Sequence, residues 1–411
     1  MSVLQPSHRW KVLGVGFAAN AGFAAALSGI PATAVVMRAD YHLATAQIGT
    51  ILGAMGLGVA LSELPWGLLT DRLGDRRVLL AGLGLTGFVL ALMAAFVAPI
   101  PGRVPPASAL GAGLLLVGLI GGSVNGSSGR AIMVWFREGE RGLAMSVRQV
   151  ALPAGGALGA LVLPSLAASA GFQAVYGVLA LLCLAITALV WLWLSEPPPD
   201  ATDTLRISAT PRSATRSPLC NGQVWRMVVG LGALCIPQVA VLTFAAVFLH
   251  DVGGLGVAAI SASIVAVQVG AVLGRLWSGR FTDRRNNRRP FLKGCALTTA
   301  ALYATLGGLV AWVSLVPQHG ALLLPLAMSA LVIGGIVASS WHGIAYTELA
   351  IVAGSSHVGT ALGLGNTFAF GAYFVTPLAI PLVVESLGWA GVWFIAAAAG
   401  GLAILLFPRI G

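Results

Sequence analysis

Long apolar runs broken by short polar segments recur along the whole of this chain. A helix needs about twenty apolar residues to cross the hydrocarbon core of a bilayer, and these runs extend far past the ten or so residues of a barrel strand. Twelve helical spans are predicted, near residues 12–36, 46–69, 78–99, 108–134, 143–167, 171–194, 225–249, 256–280, 291–314, 320–346, 358–383 and 388–408. The expected fold is all-α and integral to the membrane. One connection, 195–224, is long and carries Pro197, Pro198 and Pro199 with a run of Ser, Thr and Arg, a composition that reads as a flexible linker. It divides the chain into a six-span bundle at 1–194 and another at 225–411.

The polar segments repeat as well. Gly67 to Arg77 reads GLLTDRLGDRR, and 212 residues later Gly279 to Arg289 reads GRFTDRRNNRR. The alignment pairs Thr70 with Thr282, Asp71 with Asp283, Arg72 with Arg284, Arg76 with Arg288 and Arg77 with Arg289. Eight positions before each aspartate it sets Glu63 opposite Arg275. The same offset sets Ser127-Ser128-Gly129-Arg130 against Ser339-Ser340-Trp341-His342, and an offset of 217 pairs Gln149 with Asn366 and Pro164 with Pro381. Parallel repeats of six helices are one of the transporter plans, with the substrate site between the halves near the bilayer midplane.

Composition agrees. Hydrophobic residues make up 57% of the chain, charged residues 9%, and the mean hydropathy is +0.91, against about a quarter charged in a soluble domain. The 54 glycines sit mostly in apolar runs, where small residues let helix backbones approach closely in lipid. The net charge of +10 lies in short arginine clusters between spans with no nucleic-acid signature beside them, so nucleic acid is not an expected partner. With both termini cytoplasmic, Arg72, Arg76, Arg77, Arg137, Arg141, Arg206, Arg212, Arg216, Arg284, Arg285, Arg288 and Arg289 all fall inside, and Arg38 and Arg103 lie in outer loops; the positive-inside rule selects that orientation. The first apolar run is too long for a signal-peptide core of about 7 to 15 residues and is read as the first span. Cys183, Cys235 and Cys295 lie in apolar runs and Cys220 in the linker, so neither a disulfide framework nor a metal site is implied. No nucleotide loop, HExxH or nucleophile constellation supports an enzyme, and no cofactor is expected.

GLLTDRLGDRR resembles the signature loop of the major facilitator superfamily, G-x-L-a-D-r-x-G-r-k/r, between its second and third helices. The weaker copy at Gly279 falls between helices eight and nine, where that family has it, and departs from the pattern at Asn286. The resemblance implies a twelve-helix carrier of two pseudo-symmetric halves, working as a monomer by alternating access. It also implies that the loop aspartate closes the cytoplasmic side by capping a neighbouring helix and pairing with arginines. Asp71, Arg72, Arg76, Asp283 and Arg284 are therefore assigned to gating; the competing reading is a solvated, topology-setting charge cluster.

Substrate class has to come from ionisable groups inside the spans, which are costly in hydrocarbon and persist where they pair or line water. These are Glu63, Arg130, Arg148, Arg275 and His342. Eight residues at about 1.5 Å each set Glu63 and Arg275 roughly 12 Å up their helices from the loop aspartates. An arginine at the position of Arg275 resembles that of nitrate/nitrite, oxalate and monocarboxylate carriers, and a guanidinium suits an oxyanion because its planar fork donates parallel hydrogen bonds. Against this stands a salt bridge between Arg275 and Glu63 with no ligand, or a pair that an anion displaces. Glu63 is the candidate proton carrier and His342 the alternative, although a histidine beside Ser339, Ser340 and Trp341 also reads as an interhelical donor. Arg148, just inside its span, is assigned to the gate; Arg130 divides between the cavity and the interface, which it can reach by snorkelling. The segment WFREGERGLA from Trp135 resembles the fourth-to-fifth helix connection of organic-anion and cyanate-type members. Asn20, Gln149, Gln238, Gln268, Asn366 and Tyr373 are the neutral candidates for the cavity.

The function expected is secondary transport of a small anion, monocarboxylate-like or cyanate-like, with the proton as candidate coupling ion, in a bacterial inner membrane. Two alternatives stand beside it. One is a proton-driven drug or cation exporter, although the fifth-helix pattern Gly-Pro-x-x-Gly-Gly of such exporters is incomplete at Leu152-Pro153-Ala154-Gly155-Gly156 and a first-helix acid is missing. The other is a non-transporting membrane sensor on the same fold.

Overall fold

A glycine turns the chain inside each of the two longest helical segments among the described residues. Gly171 (φ 72°, ψ −179°) and Gly388 (φ 67°, ψ −176°) have a backbone conformation that a side chain disfavours, and each divides one long helix into two crossings. The computed structural model describes residues 8–43, 45–195, 217–255, 257–316 and 320–407. Most of the predicted linker, with Pro197, Pro198, Pro199, Arg206, Arg212 and Arg216, lies outside the described residues.

In chain order the helices are α1 (His8–Ala32), α2 (Ala34–Asp40), α3 (Thr45–Leu73), α4 (Asp75–Leu92), α5 (Ala107–Gly121), α6 (Ser123–Trp135), α7 (Arg141–Trp193), α8 (Gly222–Asp251), α9 (Val257–Arg285), α10 (Arg288–Leu315), α11 (Gly320–Ser339), α12 (His342–Ala353) and α13 (Val358–Leu406). Among the described residues ten segments are long and apolar enough to cross a membrane. Two of them, containing α7 and α13, cross twice, so the fold has twelve crossings in two sets of six. The fourth span is α5 followed by α6, and the tenth is α11 followed by α12.

The boundaries differ from the predicted ones where local chemistry intervenes. The first span stops at Ala32, where the Thr33 hydroxyl donates to the Ile30 carbonyl at 2.7 Å, and α2 continues the chain from there. The seventh begins at Gly222 because the Asn221 side chain accepts from Gln223 N at 2.9 Å, a helix N-cap. The tenth is interrupted at Ser340 and Trp341 and continues to Ala353.

Packing follows the small residues. A Cβ on Gly155 would lie 2.0 Å from the Ala21 carbonyl and one on Gly159 2.3 Å from that of Ala25, so the first and fifth spans touch backbone to backbone, a close approach typical of helices in lipid. The outer surface is apolar: Leu161, Leu315 and Leu405 are 74%, 80% and 73% exposed, as a lipid-solvated surface requires.

At the end that carries the repeated basic loops, the two sets of six spans meet through two related helix pairs. The second span packs on the eleventh, where a Cβ on Gly67 would lie 2.4 Å from the Gly359 carbonyl. The fifth packs on the eighth, where a Cβ on Gly279 would lie 2.7 Å from that of Gly142. Gly67 and Gly279 are 212 residues apart and Gly142 and Gly359 are 217 apart, so both pairs belong to the repeat. Away from this end the interface opens. Gln268 lies seven residues above Arg275, and Tyr373 seven beyond Asn366, hence on nearly the same helix faces. Arg275 and Asn366 are buried, whereas Gln268 is exposed and Tyr373 is 38% exposed.

Candidate functional site

The basic end is closed by reciprocal helix caps. Asp71, on α3, accepts from Gly359 N and Thr360 N at 2.7 Å each and from the Thr360 hydroxyl at 2.6 Å. Asp283, on α9, accepts from Gly142 N at 3.0 Å and Leu143 N at 2.8 Å. These are first-turn N–H groups of α13 and α7, neither of which has a side-chain cap of its own. Such groups have no partner within their helix, and the positive end of the helix dipole favours a carboxylate there. Each set of six spans thus caps a helix of the other.

Arginines brace these carboxylates. Arg130 pairs with Asp75 at 2.6 Å and approaches Asp71 at 3.7 Å; Arg288 pairs with Asp283 at 3.1 Å and approaches Glu138 at 3.8 Å. Arg289 holds Glu348 at 2.6 Å. Arg76 donates to the Trp191 carbonyl at 3.0 Å, and Arg72 and Arg284 are exposed. Arg130 therefore lies among the loop carboxylates and not in the centre.

Arg148 lies the other way. The sequence assigns it to the gate, but it is buried and donates to the Ser128 hydroxyl at 2.9 Å, to Asn20 Oδ1 at 3.3 Å and to the Asn125 carbonyl. Asn20 completes the group by donating to Ser128 at 2.7 Å and to the Gly16 carbonyl at 2.8 Å. The reason is helix phase. Ser128 and Arg130 are two residues apart on α6 and so point to nearly opposite sides at about 100° per residue. The Ser128 face meets the fifth span, while the Arg130 face meets Asp75.

Glu63 belongs to this central group. It is fully buried, Asn125 Nδ2 donates to one carboxylate oxygen, and Asn366 Nδ2 donates to the other at 3.0 Å. The Arg148 charge lies close enough to act on it. Arg275 is in a second group. Its Nε donates to the Ser339 carbonyl and its Nη1 to the Gln149 carbonyl, both at 2.8 Å. Nη2 makes no hydrogen bond to protein among the described residues. Tyr373, Cys235, Tyr346 and His342 lie close enough to feel the charge of this guanidinium, and His342 stacks on Trp341 at 3.9 Å with Nδ1 3.3 Å from the Ser339 carbonyl. Among the described residues Glu63 and Arg275 do not pair with each other. Both are tied instead across the interface, Glu63 to Asn366 and Arg275 to Gln149.

The remaining candidates scatter. Gln149 contributes its carbonyl to Arg275, and its side chain is buried. Gln238 is buried with Oε1 unpartnered. Gln268 and Tyr373 lie on the part of the interface that opens. Sequence reasoning missed Asn125, Tyr346 and Thr360. Asn125 carried a signal, an amide inside an apolar span; Thr360 carried none, because its role comes from the start of a helix that meets Asp71 only in space.

The geometry has counterparts among known proteins. The Major Facilitator Superfamily description matches residues 15–369. The chain is 28% identical over 362 residues to an MFS-type transporter of Mycobacterium tuberculosis (strain ATCC 25618 / H37Rv), covering 87% of this chain and 76% of that protein. Over 155 residues it is 35% identical to probable anion transporter 6 of Oryza sativa subsp. japonica, covering 38% of this chain and 34% of that protein. The proton:xylose symporter XylE, solved with 6-bromo-6-deoxy-D-glucose, shares the fold with a TM-score of 0.71 at 17% identity, over 97% of this chain and 95% of that one. FucP in its outward conformation does so with a TM-score of 0.70 at 13% identity, over 96% and 97%. With a family match across most of its length and a twelve-helix bundle closed by caps between its halves, this chain belongs to the major facilitator superfamily of membrane transporters.

Proposed function

We propose that this protein is a secondary active transporter that moves a small anion, of monocarboxylate or cyanate size, by alternating access. In this reading residues 1–194 and 225–411 rock about the central groups, with 195–224 as a linker in the cytoplasm of a bacterium and the basic loops facing the same side. The observation that carries the substrate class is Arg275: a buried guanidinium held by backbone carbonyls alone, with no carboxylate partner among the described residues and Nη2 left to a ligand. A buried charge without a countercharge is costly, and an anionic substrate supplies one. Tyr373, His342 and the amide N–H groups of Gln238 are the neutral donors proposed around it. The local likeness to probable anion transporters of plants supports the same class.

Glu63 is the proposed proton carrier. Its two amide partners satisfy the ionised form, and protonation turns one oxygen from acceptor to donor, which disfavours the Asn366 bond across the interface. The test is uptake by purified protein in proteoliposomes, using labelled acetate, lactate, oxalate, cyanate and nitrate. At least one should accumulate saturably and faster with an inward proton gradient. Uptake of none, with uptake of organic cations instead, rejects the anion reading.

A further inference from the structure

We infer that Pro153 is a positioning residue of the transport site: it leaves the Gln149 carbonyl without its in-helix donor, and that carbonyl ties Arg275 across the interface between the fifth and eighth spans. In an α-helix the carbonyl of residue 149 accepts from the N–H of residue 153. Proline has no N–H, and a buried carbonyl needs a partner. Arg275 Nη1 supplies it at 2.8 Å. The second carbonyl on Arg275 is freed in a comparable way: α11 ends at Ser339 and α12 begins only at His342, so the Ser339 carbonyl falls at the break and takes Nε. Two helix irregularities, one from each half, thus hold one guanidinium.

The repeat supplies an internal control. Asn366 occupies the position of Gln149 in the second half, and Phe370 that of Pro153. Phe370 has an N–H, so α13 offers the Asn366 carbonyl a donor of its own, and the Asn366 side chain makes the tie, to Glu63. One half crosses the interface with a side chain; the other, where proline stands, crosses it with its backbone.

The transport consequence rests on the anion reading above. A guanidinium grips two oxygens side-on through Nε and Nη2 or end-on through Nη1 and Nη2. The Ser339 carbonyl occupies one prong of the first. An anion on the second takes the other N–H of Nη1 and offsets the guanidinium charge, so the Gln149 bond loses its charge assistance. Binding therefore loosens the fifth span from the eighth, on the helix pair whose basic end Asp283 caps.

The experiment is hydrogen–deuterium exchange of the full-length protein, read at the Gly142 and Leu143 amides that donate to Asp283. Pro153→Ala and Pro153→Val each supply an N–H that recaptures the Gln149 carbonyl. Both should speed that exchange by about tenfold, the scale of a hydrogen bond to a charged group, while third-span amides keep wild-type rates. Arg275→Ala should do the same, and Pro153→Ala should add nothing in that background; Arg275→Gln serves if the alanine variant does not fold. Unchanged exchange in both Pro153 variants, or an equal further increase in the Arg275 background, overturns the inference. Acetate is the anion probe. It should speed exchange in the wild type and not in Pro153→Ala. Acetate without effect on the wild type, beside fast exchange in Pro153→Ala, counts against the anion reading and leaves the tie standing.

Discussion

Asn366 reaches Glu63 across the interface, its Nδ2 3.0 Å from Oε2, while Asn125 holds the other oxygen from within the same half. Arg275, the repeat's counterpart of Glu63, is bound by the Gln149 carbonyl, and Gln149 is the counterpart of Asn366. The duplication has kept the pairing of positions and changed the chemistry. An acid held by amides stands where the other half has a guanidinium held by carbonyls, so the proposed proton and anion sites occupy related places in the two halves.

Replacing Glu63 by Gln should separate coupling from binding. The glutamine keeps one acceptor and adds a donor that faces Asn125 or Asn366, at a cost of about 1 to 3 kcal/mol, and it cannot carry a proton. Accumulation driven by an imposed pH gradient in proteoliposomes should vanish, with exchange at equal concentrations retained. Gradient-driven accumulation in Glu63→Gln would make Glu63 structural and move coupling to His342 or remove it.

At Arg275 the sign of the charge matters less than the fork. Arg275→Lys keeps the sign, but its three donors diverge from one compact ammonium and do not match Ser339, Gln149 and an anion arranged along a planar fork. Uptake should fall by tenfold or more, with the variant still eluting as a monodisperse, inserted protein. Wild-type uptake rates in Arg275→Lys would take the residue out of the site.

The caps should govern turnover. Asp71→Asn weakens the acceptor for Gly359 N and Thr360 N, and a lost cap is worth about 1 kcal/mol, roughly a fivefold shift towards the form open at the basic end. Each conformation's own site is untouched, so turnover should slow more than equilibrium affinity weakens. Asp283→Asn should behave alike. Normal turnover with lost binding would assign Asp71 to substrate.

Close contact at the fifth and eighth spans can be tested by adding one methyl group. A Cβ at residue 279 would lie 2.7 Å from the Gly142 carbonyl and 2.6 Å from the Ser146 hydroxyl, whereas one at Gly14 meets nothing within 4 Å. Gly279→Ala should destabilise the closed arrangement by about 1 to 3 kcal/mol and depress uptake, with Gly14→Ala as the unchanged control. Equal thermal midpoints and uptake for the two variants would show that the helices are not in backbone contact.

The span count, the repeat and the loop aspartates were legible in the sequence. Apolar length and a motif repeated at a fixed offset are local properties that neighbouring residues cannot disguise. The candidate site was legible in part. Glu63, Asn20, Asn366 and Arg275 stand out as polar residues in apolar helices, but their neighbours do not. Arg130 and Arg148 look alike from the sequence, as two arginines near the ends of adjacent spans, yet one braces Asp71 and Asp75 and the other holds Asn20, Ser128 and Asn125.

What the sequence by itself determined is the solvent, the number of helices, the duplication and which residues are too polar for lipid. Tertiary structure decided which of them meet. The partners are separated by up to 303 residues, as Asn366 is from Glu63, and which face of a helix turns towards the interface depends on how small residues such as Gly67, Gly142, Gly279 and Gly359 let the backbones pack. One tie across the interface is made by a carbonyl that every residue carries. Pro153 shows in the sequence that the Gln149 carbonyl loses its usual donor; only the fold brings Arg275 to it.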